Sequence, residues 1–241
     1  MPAKKKQTEQ LVFGGETLIV ERKAIKNFYI RIDRESGHIR VTAPRRMSEA
    51  EIQRLLQKDW GWVEKKRSEL AARPRLPVHH YREGEVFFLW GKPYILTVRE
   101  RSQGKAAAYA KAGRLFLFVR PQDDAALRRQ ALETWYRSQL QAGIASLRAE
   151  TEAIAGRRPQ EYRIKKMKTR WGTCNVIAKR IWLNLSLAQY RPVILRYIML
   201  HELTHLRVPN HGPAFHAYMD RFCPEWRQLK RELDNGPAYK I

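Results

Sequence analysis

The stretch IMLHELTHLRVPNHGPAFH, Ile198 to His216, carries the pattern His-Glu-x-x-His at His201, Glu202 and His205. Residues four apart on a helix share a face, so His201 and His205 can ligate one metal ion. Glu202 then sits beside the open position of that ion, where it can hold and deprotonate a water. Two histidines do not complete a zinc site. His211 follows six residues after His205, and on a continued helix it would point elsewhere. Pro209 stops the helix, since it donates no hydrogen bond and pushes Val208 out of helical geometry. Asn210 tolerates left-handed backbone, so the chain is expected to fold back there and bring His211 to the third corner. His216, four residues into a following helix, competes for that place, and His211 is preferred. The bland alternative is a surface helix with two stray histidines and a glutamate.

Outward from this stretch, Pro192 opens the metal helix at the favoured first position. Ile194, Tyr197 and Ile198 lie on its ligand face and should pack inward. Pro213 opens the next helix, with Phe215, Tyr218 and Met219, and Pro224 opens the last, through Trp226, Leu229 and Leu233. Upstream, Met167 to Cys174 and Arg180 to Leu185 read as antiparallel strands around a loop at 175–179. The first of these is a candidate edge strand of the kind that pairs with an extended substrate. Tyr162 to Lys166 is a further short strand. Asp123 and Asp124 open a long helix with an apolar stripe of Leu127, Ala131, Trp135, Leu140, Ile144 and Leu147, ending near Gly156.

The N-terminal half reads as strands. LVFGGETLIV, Leu11 to Val20, is a hairpin around Gly14-Gly15. Phe28 to Ile32 and His38 to Thr42 form a second, with Arg31 and Arg40 facing solvent. Val86 to Trp90 and Tyr94 to Val98 form a third, and Leu115 to Val119 adds a strand. Residues 104–113 are a loop or a weak strand. Ser48 and Glu51 make a capping box for a helix to about Leu70, with Ile52, Leu55, Leu56, Trp60 and Val63 at helical spacing. Lys65-Lys66-Arg67 is expected in its last turn. Arg73 to Pro77 reads as a linker. His79-His80 is a loop rather than a metal pair, because adjacent side chains diverge. No internal repeat, phosphate-binding glycine loop or serine elbow is evident.

The chain has 241 residues, with 47 Lys+Arg against 24 Asp+Glu and a formal net charge of +23. That excess favours polyanions, such as nucleic acid, phosphorylated ligands or an acidic membrane surface. No apolar run is long enough to span a membrane, and no signal peptide precedes the first strand. With Cys174 and Cys223 as its two cysteines, a disulfide framework is not expected. A reducing, cytoplasmic location fits, with both cysteines as small buried hydrophobes.

The run from Lys168 to Phe215 resembles the YgjP-like metallopeptidases, relatives of the SprT-like and WLM zinc proteases. Arg170-Trp171-Gly172-Thr173-Cys174, Leu183-Asn184, His201 to Leu206, Asn210-His211 and Phe215 carry the resemblance. It extends more weakly to Ile30-Arg31-Ile32, Val41 to Pro44, Trp62-Val63, Gly84-Glu85 and Gly91 to Tyr94. It implies one zinc ion per chain on His201, His205 and His211, Glu202 as base, and a protein or peptide substrate. Thr173 and His216 depart from the family pattern. The histidine spacing also equals that of metzincins, but Val208 stands in their glycine place. A zincin with a glutamate third ligand would have Glu225 as its candidate.

The expected architecture is α+β. A strand-rich part spans 11–122 with one helix at about 48–70, after a disordered basic tail at 1–10. A helical zincin-like part follows at 123–241, and the two pack as one unit. The expected function is zinc-dependent peptide hydrolysis, with Arg170, Trp171, Gly172 and Thr173 as substrate-binding candidates. The SprT-like and WLM relatives act on proteins attached to DNA. Lys165, Lys166, Lys168 and Arg170 are therefore candidate contacts to DNA or another polyanion, with Arg45-Arg46 and Lys65-Lys66-Arg67 as further ones. A metal-dependent phosphohydrolase acting on nucleotides, and a nucleic-acid-binding protein with a structural metal, are the alternatives. Glu202 weighs against the second, since a structural site needs no base.

Overall fold

A computed structural model describes residues 7–33, 36–71 and 79–235. The expected linker at Arg73 to Pro77 and residues 1–6 of the expected tail lie outside the described residues. The chain divides into two compact units, Met1–Arg75 and Leu76–Ile241. The strands between 86 and 119, expected with the N-terminal half, thus share a unit with the metal helix.

In the first unit, strand β1 (Gln7–Phe13) takes in residues 7–10, expected in the tail. It pairs antiparallel with β2 (Glu16–Lys23) around Gly14-Gly15. Both glycines have positive φ, as a two-residue type I′ turn requires. β3 (Tyr29–Ile32) pairs antiparallel with β4 (Ile39–Pro44), placing Arg31 opposite Arg40, both exposed. The sheet order is β1-β2-β4-β3, and β2 runs parallel to β4. Helix α1 (Glu49–Ala71) starts on the expected capping box, with the Ser48 amide and hydroxyl donating to the Glu51 carboxylate at 2.7 and 2.9 Å. Its Ile52, Leu56 and Val63 join Leu11, Leu18, Val20, Ile39 and Val41 in one core. The helix continues to Ala71, so Lys65-Lys66-Arg67 precede the last turn, which holds no basic residue.

The second unit opens with the His79-His80 loop and the hairpin β5 (Val86–Leu89) and β6 (Lys92–Glu100). β7 (Ala107–Lys111), the weak strand of the sequence reading, pairs with β8 (Arg114–Val119). The order β5-β6-β8-β7, with β6 parallel to β8, repeats the plan of the first sheet. Like it, this sheet is followed by a long helix, α2 (Ala125–Ala155). The chain therefore holds a repeated topology that its residue patterns do not reveal. Asp124 caps α2, accepting from the Leu127 amide, and Gly156 closes it at φ +58°. Ala131, Trp135, Leu140 and Ile144 are buried as expected, while Leu127, in the first turn, is exposed.

A third sheet, ordered β10-β11-β9, pairs β9 (Glu161–Lys165) parallel and β10 (Gly172–Asn175) antiparallel to β11 (Arg180–Asn184). β10 begins later than expected, because 167–171 is held as a bend. Asn184, buried, donates its amide to the carbonyls of Met167 (2.9 Å) and Arg170 (2.8 Å). A 3-10 turn at Leu185–Gln189 leads to α3 (Pro192–His205), α4 (Pro213–Phe222) and α5 (Trp226–Asn235). α3 buries Leu195 and Met199 as well as Ile194, Tyr197 and Ile198, so most of its circumference is apolar, as befits a helix inside a core, with Arg196 as the mid-helix exception, paired with Glu150 at 2.7 Å. Among the described residues, no helix is long and apolar enough to cross a membrane.

Candidate metal centre

Pro192 starts α3, and His201 and His205 stand one turn apart near its C-terminal end. The helix then tightens. The Leu206 amide donates to Leu203 O (3.1 Å) and the Arg207 amide to Thr204 O (2.9 Å). Pro209 offers no N–H to continue the ladder. The expected left-handed Asn210 is not used, since its φ is not positive; the tightened turn through Arg207 and Val208 redirects the chain. His211 returns, and its Nε2 lies 3.1 Å from His201 Nε2, with His205 Nε2 at 3.2 Å from the same atom. One ring nitrogen from each of the three lies within 4.8 Å of the others. Nitrogens bound tetrahedrally at zinc distances would be roughly 3.3 Å apart, and the two separations from His201 match that spacing.

Two of the imidazoles, those of His201 and His205, are held toward the neutral form that binds metal. Burial pushes His201 down to about 3, with His205, His211 and the Lys230 ammonium adding to it. His205 is lowered by burial as well. His205 Nδ1 lies 3.1 Å from the Val208 carbonyl. A carbonyl only accepts, so Nδ1 carries the proton and Nε2 presents its lone pair to the cluster. Beneath the three rings lies Phe215, fully buried, with its centroid 4.9, 4.8 and 4.7 Å from those of His201, His205 and His211. Sequence patterning marks Phe215 only as an apolar residue of its helix and as part of the motif. Its place two residues after the Pro213 helix start was the signal for this supporting role.

Glu202 is 4% exposed and has no hydrogen-bond or ion-pair partner among the described residues. Burial pushes its carboxyl up to about 8, against a smaller opposing pull from Arg170. Carboxyls whose pKa is raised this far by burial concentrate where chemistry is done. Gly172 makes room for it. A Cβ at 172 would lie 2.5 Å from Glu202 Oε1 and 2.7 Å from its Cγ. The backbone of β10 therefore meets the carboxyl directly, and β10 is an edge of its sheet. Of the other substrate-strand candidates, Trp171 packs edge-on against Tyr190 at 5.2 Å, Thr173 is half-buried opposite Trp182, and Arg170 is exposed.

The remaining candidates scatter. His216 stays out of the cluster and stacks on Trp226, centroids 5.5 Å apart. Glu225 lies 4.0 Å from Arg196 and outside the cluster. Cys174 and Cys223 are free thiols pushed by burial to about 11, Cys223 fully buried as expected and Cys174 only half-buried at the edge strand β10. Lys165, Lys166 and Lys168 are exposed, with Lys166 bonded to Glu133 at 2.6 Å. Arg45, Arg46 and Lys65 are exposed on the first unit, where Lys66 and Arg67 pair with Glu69 and Glu16. A cavity of about 500 Å³ opens beside the cluster, lined by His201, His211 and residues of α3, α4 and α5.

A family model described as the YgjP-like metallopeptidase domain matches residues 26–236. No curated protein matches the chain. Among solved structures, the metallopeptidase zymogen of Pyrococcus abyssi abylysin is 20% identical, covering 41% of this chain and 98% of that one, with a TM-score of 0.37. The zymogen of Methanocaldococcus jannaschii jannalysin is 23% identical, covering 38% and 93%, with a TM-score of 0.34. Likenesses this slight say nothing about the chemistry of the site.

Proposed function

The chain belongs to the YgjP-like metallopeptidase family, and from that premise we propose that it hydrolyses peptide bonds with zinc on His201, His205 and His211 and with Glu202 as general base. The observation that carries this reading is the juxtaposition on one helix end. Three imidazole nitrogens converge there, and the residue next to His201 is a buried carboxyl without a partner. Zinc held there would supply a Lewis acid that lowers the pKa of water toward neutrality.

The chain's own residues do the rest. An extended peptide can add to the free edge of β10, aligned by main-chain hydrogen bonds. Since Gly172 lets that edge lie against Glu202, the scissile bond is brought to the carboxylate. Glu202 accepts the proton of the attacking water and passes it to the leaving amine. Beside the charge of a zinc ion, the Glu202 carboxyl would be drawn back down from about 8, into the range of a group that takes and returns a proton near pH 7. Asn184, by fixing the 167–171 bend, sets where β10 begins. A purely structural metal would give Glu202 no role.

Purified protein should carry about one zinc ion per chain. His211→Ala should lose it and His216→Ala should keep it. Glu202→Gln should keep the metal and lose roughly a hundred- to ten-thousand-fold in turnover. Full zinc retention in His211→Ala, or near-normal peptide turnover in Glu202→Gln, overturns the assignment.

We also infer that the exposed Lys165, Lys168 and Arg170, which lead into β10, contact the phosphates of DNA. The support is their position and the net charge of +23. With no base-reading motif, affinity should be indifferent to sequence and fall steeply with salt, by roughly one power of salt concentration per phosphate contacted. Labelled single- and double-stranded DNA titrated across salt concentrations tests this, and absence of binding at low ionic strength removes DNA as a partner.

A further inference from the structure

The cavity beside the histidine cluster has a composition that peptide hydrolysis alone does not require. Its volume of about 500 Å³ is within the range of sites that hold a ligand. One wall is aromatic: Tyr197 and Phe215 sit next to the histidines, and Trp226 and His216 stack on one another at 5.5 Å. The other wall is cationic, formed by Arg227, Lys230 and Arg231 of α5, and among the described residues no Asp or Glu lines the cavity.

The three cations differ in how far they are already neutralised. Arg227 is bonded to Asp220, which also accepts from the Trp226 indole at 2.8 Å, and its guanidinium lies over the Trp226 ring at 4.5 Å. It is fixed and compensated. Lys230 pairs with Asp234 at 2.7 Å, one turn along the exposed face of α5. Exposed pairs of that kind are weak and exchange readily. Lys230 lines the same cavity as His201 and His211, which places its charge beside the cluster. Arg231 is exposed and has no ion pair among the described residues. One uncompensated guanidinium and one weakly held ammonium thus face a pocket whose other walls are aromatic, next to the proposed scissile bond.

We propose that this cavity is the specificity pocket of the peptidase and that it takes a carboxylate of the substrate, either an Asp or Glu side chain next to the cleaved bond or the C-terminal carboxylate of a short peptide. The inference rests on the metallopeptidase reading. The aromatic walls suit the aliphatic stem of such a residue, and the guanidinium of Arg231 offers a carboxylate two parallel N–H donors. An exposed cationic pocket should also make the preference fall with ionic strength.

The test uses the zinc-loaded full chain and fluorogenic peptides that place Glu, Gln or Lys in turn at each position flanking the cleaved bond. Each peptide is made with a free and with an amidated C-terminus. The wild type should prefer Glu over Lys at one position by on the order of tenfold or more in kcat/KM, the scale of a charge-assisted hydrogen bond. Lys230→Glu/Arg231→Glu should invert that ratio while retaining zinc. Loss of cleavage on Glu→Gln alone assigns a side-chain carboxylate, and loss on amidation alone assigns the terminal one. Cleavage of the Glu, Gln and Lys peptides within threefold of each other at every position, indifferent to amidation, overturns the proposal. So does a preference that survives the double charge reversal. Failure of the underlying reading looks different: cleavage that Glu202→Gln does not abolish.

Discussion

The two units open with the same backbone plan and use it differently. Each begins with a hairpin whose two turn residues have positive φ, Gly14-Gly15 in the first and Trp90-Gly91 in the second. Each then runs the second strand parallel to the fourth and inserts the third outside it. The spacing from turn to turn is the same, Gly15 to Gly37 and Gly91 to Gly113, and a proline closes each fourth strand region at Pro44 and Pro121. The hairpin tips meet the following helices through the same pair of residue types with the roles exchanged. In the first unit the tip gives Gly14 and α1 gives Trp60, whose ring atom would lie 2.6 Å from a Cβ at 14. In the second the tip gives Trp90 and α2 gives Gly143, with the same 2.6 Å approach. Moving the indole to the tip frees the tip backbone for another task. The amides of Trp90 and Gly91 donate to the carbonyls of Ala188 (2.8 Å) and Gln189 (2.9 Å), in the 3-10 turn that delivers α3. The first unit's tip closes its own core, and the second unit's tip holds the approach to the metal helix.

That difference should be largest in the response to metal. If the cluster binds zinc, a saturating ion stabilises only the unit that contains it, by about 4 kcal/mol at a thousandfold excess over the dissociation constant. Calorimetry with and without chelator should show one transition moving and another, belonging to 1–75, staying put. A first-unit transition that shifts with zinc by the same amount would break the contrast.

The tip tryptophans come next. Trp90→Ala and Trp60→Ala each remove a half-buried indole from a glycine notch, and each should cost roughly 2–4 kcal/mol in its own unit. Their effects on activity should part. Trp90→Ala loosens the amides that hold Ala188 and Gln189, so peptidase turnover should fall, whereas Trp60→Ala should leave it near wild type. Equal losses of turnover would mean that the first unit supports the site directly.

What could be read from the chain divides in the same way, between local and non-local. The Ser48-Glu51 box, the Gly14-Gly15 turn, the Asp124 cap and Pro192 at a helix start are local, and each is where spacing put it. His201, His205 and His211 were legible because a helix period and a proline fix their relation. The parallel pairing of β2 with β4 and of β6 with β8 joins segments that no turn connects, so the repeat stayed hidden. Gly172 beside Glu202 is a contact across two elements, and the cationic wall of the cavity comes from α5, which local patterning marked only by Trp226, Leu229 and Leu233. Asn210 and Leu127 depart from expectation because turn geometry and the position at a helix end outweigh propensity and periodicity there.

Smaller effects come from adding one methyl group at each notch. Gly14→Ala brings a Cβ against Trp60 and places a side chain at φ +59°, and Gly143→Ala drives one into Trp90 and within 3.1 Å of Leu195. Each should cost about 1–3 kcal/mol by overpacking, with the left-handed backbone adding to Gly14→Ala. Only Gly143→Ala should disturb turnover, because its clash reaches α3. Denaturant midpoints together with kcat would separate the two.

The smallest contrast lies at the joints between the fourth strand and the long helix, where each unit uses one acid. Glu51 accepts from the Ser48 amide and hydroxyl, and Asp123 accepts from the Arg120 amide at 2.8 Å and from its guanidinium at 2.9 Å. Both carboxyls are held below their usual range, in each case first by the backbone hydrogen bond. A depressed carboxyl contributes stability that is fully present above its unfolded pKa and is lost as pH falls through the folded one. The window therefore opens near the ordinary values of 4.5 for Glu51 and 3.8 for Asp123 and extends downward. Glu51 is exposed, whereas the Asp123 side chain is almost enclosed and keeps a guanidinium partner at low pH. Acid should accordingly weaken the first joint at higher pH than the second. Under thermal unfolding between pH 6 and 2, Glu51→Gln should flatten the acid slope of the first transition and Asp123→Asn that of the second. Each substitution should leave the other transition unchanged. If either variant flattens both slopes, the two units do not unfold independently, and their two tips serve a single cooperative molecule rather than two separable ones.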